Sequence, residues 1–210
     1  MRRRGSLCAA RRYPGIALSV CLLVLSGASC ASGADPAPAP RESARPAHWA
    51  RPVELEGVPG LHQVSQSLYR SAQPTAQGME RLREMGIRTV VNLRFFHSDR
   101  DEIGETGLVS EHIPMKAWHP KEEHAVEFLR IVADPDRAPV LVHCMHGADR
   151  TGAMVAIYRI ALQGWTSEDA LREMVEGGYG FHGVWVNLVP WIDSLDLEKI
   201  RTEAGLGRSP

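Results

Sequence analysis

An α/β domain, with a central and mostly parallel sheet flanked by helices and a helical C-terminal third, is the fold class that three sequence observations predict. Short β-branched runs bounded by turn residues, at 87–93 and 139–143, have the pattern of strands buried on both faces. Segments with helical spacing separate them, so strand and helix alternate as parallel pairing requires. After residue 143 only helical patterns recur.

The elements follow in order. Residues 67–70 (Ser-Leu-Tyr-Arg) form a short strand candidate, and Thr75 then caps a helix through Met85, ended by Gly86. Residues 87–93 (Ile-Arg-Thr-Val-Val-Asn-Leu) are the first buried strand, and residues 108–115 another strand after a polar stretch. Residues 124–133 have helical spacing, which Asp134-Pro135-Asp136 breaks. Residues 139–143 (Pro-Val-Leu-Val-His) are the second apolar strand, and residues 151–162 form a mostly apolar helix ended by Gly164. Ser167 is expected to cap one more helix, which the Gly177-Gly178-Tyr179-Gly180 run stops, and residues 184–204 read as helical with Pro190 dividing them. No internal repeat is visible.

At 210 residues the chain has room for one domain and some extra segments. A formal net charge of −1 gives no reason to expect nucleic acid or an anionic membrane as partner, so any anion binding must be local. Residues 1–30 have the order of a secretion signal. Arg2, Arg3, Arg4, Arg11 and Arg12 precede an apolar run over residues 16–25, and small residues follow. The run is about half the roughly 20 residues that a spanning helix needs. Cys30, behind Gly27, Ala28 and Ser29, resembles a bacterial lipid-attachment site. Gly27 stands where such sites usually carry Leu, so cleavage after a small residue competes. The expectation is an exported, periplasmic or envelope-associated protein whose only membrane contact is a lipid anchor at Cys30, if one is attached. Residues 31–48 are rich in Ala and Pro and read as a linker, and the folded domain is expected over 49–205.

Of the four cysteines, Cys8 and Cys21 leave with the signal and Cys30 is removed or lipidated. The mature domain then keeps Cys144 alone. An unpaired thiol in an oxidising compartment calls for a reason, and nucleophilic chemistry supplies one. Cys144 lies in His143-Cys144-Met145-His146-Gly147-Ala148-Asp149-Arg150-Thr151-Gly152, between a strand and a helix. Such a loop aims backbone N–H groups at one point, with the positive end of a helix dipole behind them, which favours a thiolate and an oxyanion there. Arg150 can fork onto that oxyanion, and Gly147 permits the sharp backbone path.

His-Cys, five residues and Arg-Thr-Gly after a short apolar strand resembles the signature of the protein tyrosine phosphatase superfamily. The region over about residues 61–195 is similar to its compact dual-specificity branch, the segment Leu68-Tyr69-Arg70-Ser71-Ala72-Gln73-Pro74 resembling a bacterial group within it. The resemblance implies a dual-specificity phosphatase-like fold. It also implies hydrolysis of phosphate monoesters through a phosphocysteine on Cys144, with no metal and no cofactor. Arg150 would hold the equatorial oxygens, and the backbone of Met145, His146, Gly147, Ala148, Asp149 and Arg150 would cradle phosphate. Thr151 would donate to the sulfur, and His143 would be buried and orient the loop. The partner would be a phosphorylated protein or a small phosphoester.

Most members take a general acid Asp from an upstream loop, which falls here at residues 111–120 and contains none. Asp149 is the first substitute, since myotubularin-type lipid phosphatases carry an acid there. A structural role, turned away from the phosphate, stands equally open. His119, Glu122 and Glu123 are rivals. His182 and Trp185 either wall the pocket or pack. The loop lacks the Lys that phosphoinositide-specific members often place in it, which weakens an inositol-lipid reading and leaves inositol phosphates as an alternative substrate. The remaining histidines show no metal-ligand spacing. A rhodanese-like sulfurtransferase and a non-catalytic phosphate-binding module are the alternatives, and the trailing Arg-Thr-Gly disfavours the first.

Overall fold

The computed structural model describes residues 45–207. The expected signal, Cys30 and most of the linker lie outside them. Among the described residues no helix is long and apolar enough to cross a membrane.

The sheet has six strands in the order β1-β2-β3-β6-β4-β5. β1 (Arg51–Pro52) and β2 (His62–Gln63) are short and antiparallel, and β2 runs antiparallel to β3 (Leu68–Ser71). The rest is parallel: β3 pairs with β6 (Val140–His143), β6 with β4 (Thr89–Asn92), and β4 with β5 (Val109–His112). β4 and β6 are buried along their whole length. Their side chains alternate between two cores, as the pleat requires. Val90 and Leu141 join Met79, Leu82, Ile103 and Leu108 on the face covered by α1 (Ala76–Glu84) and α2 (Arg100–Ile103). Val91, Val140 and Val142 join the larger core on the other face. There they meet α3 (Glu122–Ala133), α4 (Asp149–Gln163), α5 (Ser167–Glu176), α6 (Leu188–Asp193) and α7 (Leu197–Glu203).

Thr75 caps α1 as expected, its Oγ1 accepting from Gly78 N at 3.0 Å. α4 is buried on nearly all sides, which explains its apolar sequence, and it ends on the left-handed Gly164 (φ 70°). Three local expectations need correction. The cap of α5 is Thr166, whose Oγ1 accepts from Asp169 N, and Ser167 is the first helical residue. The segment 184–204 is a 3-10 turn (Gly183–Trp185) followed by α6 and α7. Pro190 does not divide it, because it sits in the first turn of α6, where a missing N–H costs nothing. The break falls at residues 194–196, where Asp196 caps α7 by accepting from Lys199 N. The strand expected at 108–115 pairs only over Val109–His112, most of it exposed at the sheet edge.

At the end of the stretch read as linker, His48 packs its ring on Trp165, and Trp49 is buried. The folded unit is secured from there onward, since Ala50 N donates to the buried carboxylate of Glu173.

Candidate active site

The site lies beyond the carboxyl ends of β3, β6 and β4, where parallel strands of open α/β sheets present their ligands. β6 is the central strand of the three, so the residue after His143 emerges in the middle of that edge. That residue is Cys144, which is 1% exposed and makes no disulfide among the described residues. The loop then turns into α4 through Gly147 at φ 69°, a left-handed conformation in which any Cβ would stand 2.5 Å from the Ser71 carbonyl oxygen.

Ala148 precedes α4 and offers no side chain to cap it. Among the described residues, the N–H groups of Met145, His146, Gly147 and Ala148 donate no hydrogen bond. Four consecutive free donors at the head of a fifteen-residue helix make an anion cradle, with Cys144 directly before them. Arg150, in the first turn, borders the adjoining pocket and holds only a long 3.3 Å bond to the Leu93 carbonyl. Thr151 Oγ1 is buried and has no hydrogen-bond partner among the described residues.

Asp99, which holds the expected loop-orienting His143, and Arg70 are two buried groups that sequence reasoning missed. His143, fully buried, places Nε2 2.7 Å from Asp99 Oδ2. The other Asp99 oxygen accepts from Asn92 Nδ2 and Gln73 Nε2, each at 3.0 Å. Because the carboxylate accepts, Nε2 is a donor in this bond. Burial alone would raise the pKa of Asp99, but the hydrogen bond and charge of His143 outweigh it and hold it below the usual carboxylate range. The second group is Arg70, also buried. Its Nη2 donates to the Gly147 carbonyl at 2.7 Å, and its guanidinium lies 3.5 Å from the centroid of Tyr179. Burial pushes the Tyr179 phenol up to about 12, so it remains a donor to Glu173.

The pocket beside the loop that follows Cys144 is walled by Phe95, Phe96, Met115, Trp118, Met145 and Trp185, with Arg94, His146, Asp149 and Arg150 as its polar groups. Trp118 and Trp185 face each other with centroids 6.2 Å apart. Trp185 therefore both lines the pocket and packs on the larger core. Asn187 ties the two walls by donating to the Ala117 carbonyl at 2.8 Å. Asp149 reaches this pocket although only 5% exposed, and both its oxygens face His182. The rivals fall elsewhere: Glu122 bonds Lys199, and neither His119 nor Glu123 borders the pocket.

Comparison with known proteins agrees with this geometry. A family model described as "DSP-PTPase phosphatase fused to NAD+ Kinase" matches residues 60–180. The chain is 34% identical over 164 residues to the dual specificity protein phosphatase TpbA of Pseudomonas aeruginosa, covering 78% of this chain and 72% of the relative. The crystal structure of P. aeruginosa TpbA superposes with a TM-score of 0.68 at 32% identity, covering 77% of this chain and 99% of that one. A structure of TpbA in complex with pTyr gives a TM-score of 0.67 at 32% identity, over 78% and 99% of the two chains. With its strand-loop-helix site and these relatives, the chain belongs to the dual-specificity phosphatase branch of the protein tyrosine phosphatase superfamily.

Proposed function

We propose that this protein is an exported phosphatase that hydrolyses phosphotyrosine-type monoesters through a phosphocysteine on Cys144. The observation that carries the reading is the run of four unused N–H donors following Cys144 at the head of α4. An incoming phosphoryl group accepts from these amides, Arg150 forks onto two of its oxygens, and Cys144 Sγ attacks phosphorus in line with the departing oxygen. Thr151, whose hydroxyl is otherwise unpartnered, donates to the sulfur when water hydrolyses the thiophosphate ester. His143, held by Asp99, and Gly147, held by Arg70, keep the loop in this conformation.

The wall above the loop supports an aryl ester. Trp118, Trp185, Phe95 and Met145 suit a flat apolar leaving group, and Arg94 borders the pocket beside Arg150, with Lys116 Nζ 4.4 Å from the Phe95 ring centroid. TpbA, 32% identical over most of its length, has been seen with pTyr, which supports the same substrate class here. Export rests on the arginine-rich, apolar and small-residue order of residues 1–30 and on the lone thiol of the domain.

A panel of phosphotyrosine peptides, phosphoserine peptides and inositol phosphates, offered to the wild type and Cys144→Ser, tests the assignment. Turnover highest on phosphotyrosine and absent in Cys144→Ser is expected. Preference for inositol phosphates, or binding without turnover, would refute it. Intact-mass analysis of the protein recovered from cells tests export: loss of the first residues near Cys30 is expected, and a full-length chain would refute it.

A further inference from the structure

The departing oxygen needs a proton, and residues 111–120 hold no Asp to supply it. Of the titratable groups bordering the pocket, Arg94 and Arg150 are too weak as acids, which leaves His146 and Asp149. His146 is exposed and makes no hydrogen bond among the described residues. Asp149 is buried and built in. His182 N donates to its Oδ1 at 2.8 Å, and the His182 ring nitrogen Nδ1 lies 2.9 Å from Oδ2 and 3.2 Å from Oδ1. One end of this pair borders the pocket, and the other reaches solvent through a half-exposed imidazole.

We propose that Asp149 and His182 share the proton that leaves with the alcohol, Asp149 as the group touching substrate and His182 as its positioning and proton-supplying partner. The proposal rests on the phosphocysteine reading. A lone carboxylate would repel a phosphate dianion, whereas the pair carrying one proton is neutral whichever atom holds it. In the first step the S–P bond forms as the P–O bond to the alcohol breaks. The pair's proton moves to that oxygen, leaving aspartate and neutral imidazole. In the second step water attacks phosphorus, the S–P bond breaks to return the thiolate, and the pair takes the proton released by water.

The charged and titratable groups around the pair are His146, whose ring lies 5.2 Å from that of His182, Cys144 at the loop floor, and Arg94 and Arg150 on the pocket wall. The arginines keep their charge throughout.

The test compares His182→Ala and His182→Gln with wild type on phosphotyrosine, whose phenol is a poor leaving group, and on p-nitrophenyl phosphate, whose phenol is a good one. Loss of one acid catalyst should lower kcat on phosphotyrosine about 100-fold and on p-nitrophenyl phosphate only about threefold. Gln can still donate to Asp149 but cannot pass a proton, so it should be as defective as Ala on phosphotyrosine while preserving the fold. Free imidazole should restore the Ala variant. The fall in wild-type kcat on phosphotyrosine at high pH should flatten in both variants. Equal loss on both esters with an unchanged pH profile, full activity of the Gln variant, or no rescue by imidazole would overturn the proposal. Wild-type protein that turns over neither ester would overturn the phosphatase reading with it, whereas Cys144→Ser losing both esters beside an unaffected His182→Gln would overturn the proton relay alone.

Discussion

At the scale of single residues, the nucleophile's neighbours decide more than the nucleophile. Cys144, Arg150 and Gly147 were legible because their spacing is local and fixed by one turn. Asp99 and Arg70 were not. Asp99 stands in a polar stretch 44 positions before His143 and reads as loop, yet its one carboxylate joins β4, the turn after β3 and the end of β6. Replacing it by Asn removes charge-assisted bonds from a buried cluster and should cost about 2–3 kcal/mol, measured as a lower unfolding midpoint. The sign of its pH dependence follows from a folded-state pKa held below the unfolded one. The stabilisation is complete above the ordinary carboxylate range and disappears as pH falls through the folded value. Wild type should therefore lose stability in acid where Asp99→Asn changes less; parallel acid curves would contradict the assignment. Arg70 sits in a strand whose period gave no reason to expect a buried cation. Arg70→Lys lacks the planar fork and the stack on Tyr179, and should lower kcat about tenfold with little change in KM for a loop that is mispositioned rather than removed.

At the scale of elements, hydrophobic period identified the buried strands and α4, because β4 and β6 are covered on both faces and α4 on nearly every side. Edges and ends were harder. β5 is largely exposed, so its apolar pattern overstates its length, and the two-residue strands β1 and β2 carry no periodic signal. α5 shows why caps mislead: Thr166 and Ser167 are both good cap residues, and only the backbone decides that Thr166 takes the role. Gly147 joins β6 to α4 where a side chain is excluded by both conformation and space. Gly147→Ala should abolish turnover and destabilise the domain by about 2 kcal/mol or more, seen together in activity and thermal melts. Wild-type activity in this variant would show that the loop tolerates another path.

At the scale of the whole molecule, the sequence pattern specified a parallel sheet but not how helices divide between its faces. That division is set by long-range packing, α1 and α2 on one side and α3 to α7 on the other. The same is true of the ion pair that closes the larger half. Arg159 Nε meets Glu173 Oε2 at 2.8 Å and its Nη2 meets Oε1 at 3.0 Å, while Glu173 also accepts from Ala50 N and Tyr179. Glu173→Ala leaves a buried guanidinium unpaired and should cost about 3–5 kcal/mol in denaturant unfolding. Because Tyr179 carries the Arg70 stack, that loss should reach the phosphate loop as well. The central claim is that this scaffold makes Cys144 the phosphoryl acceptor, and the most direct measurement is acid quench of wild type during turnover of a phosphotyrosine peptide, followed by mass analysis of the peptide containing Cys144. A phosphate adduct on Cys144, absent in Cys144→Ser together with all turnover, is the predicted result; turnover that survives in Cys144→Ser, or phosphate found on another residue, would contradict it.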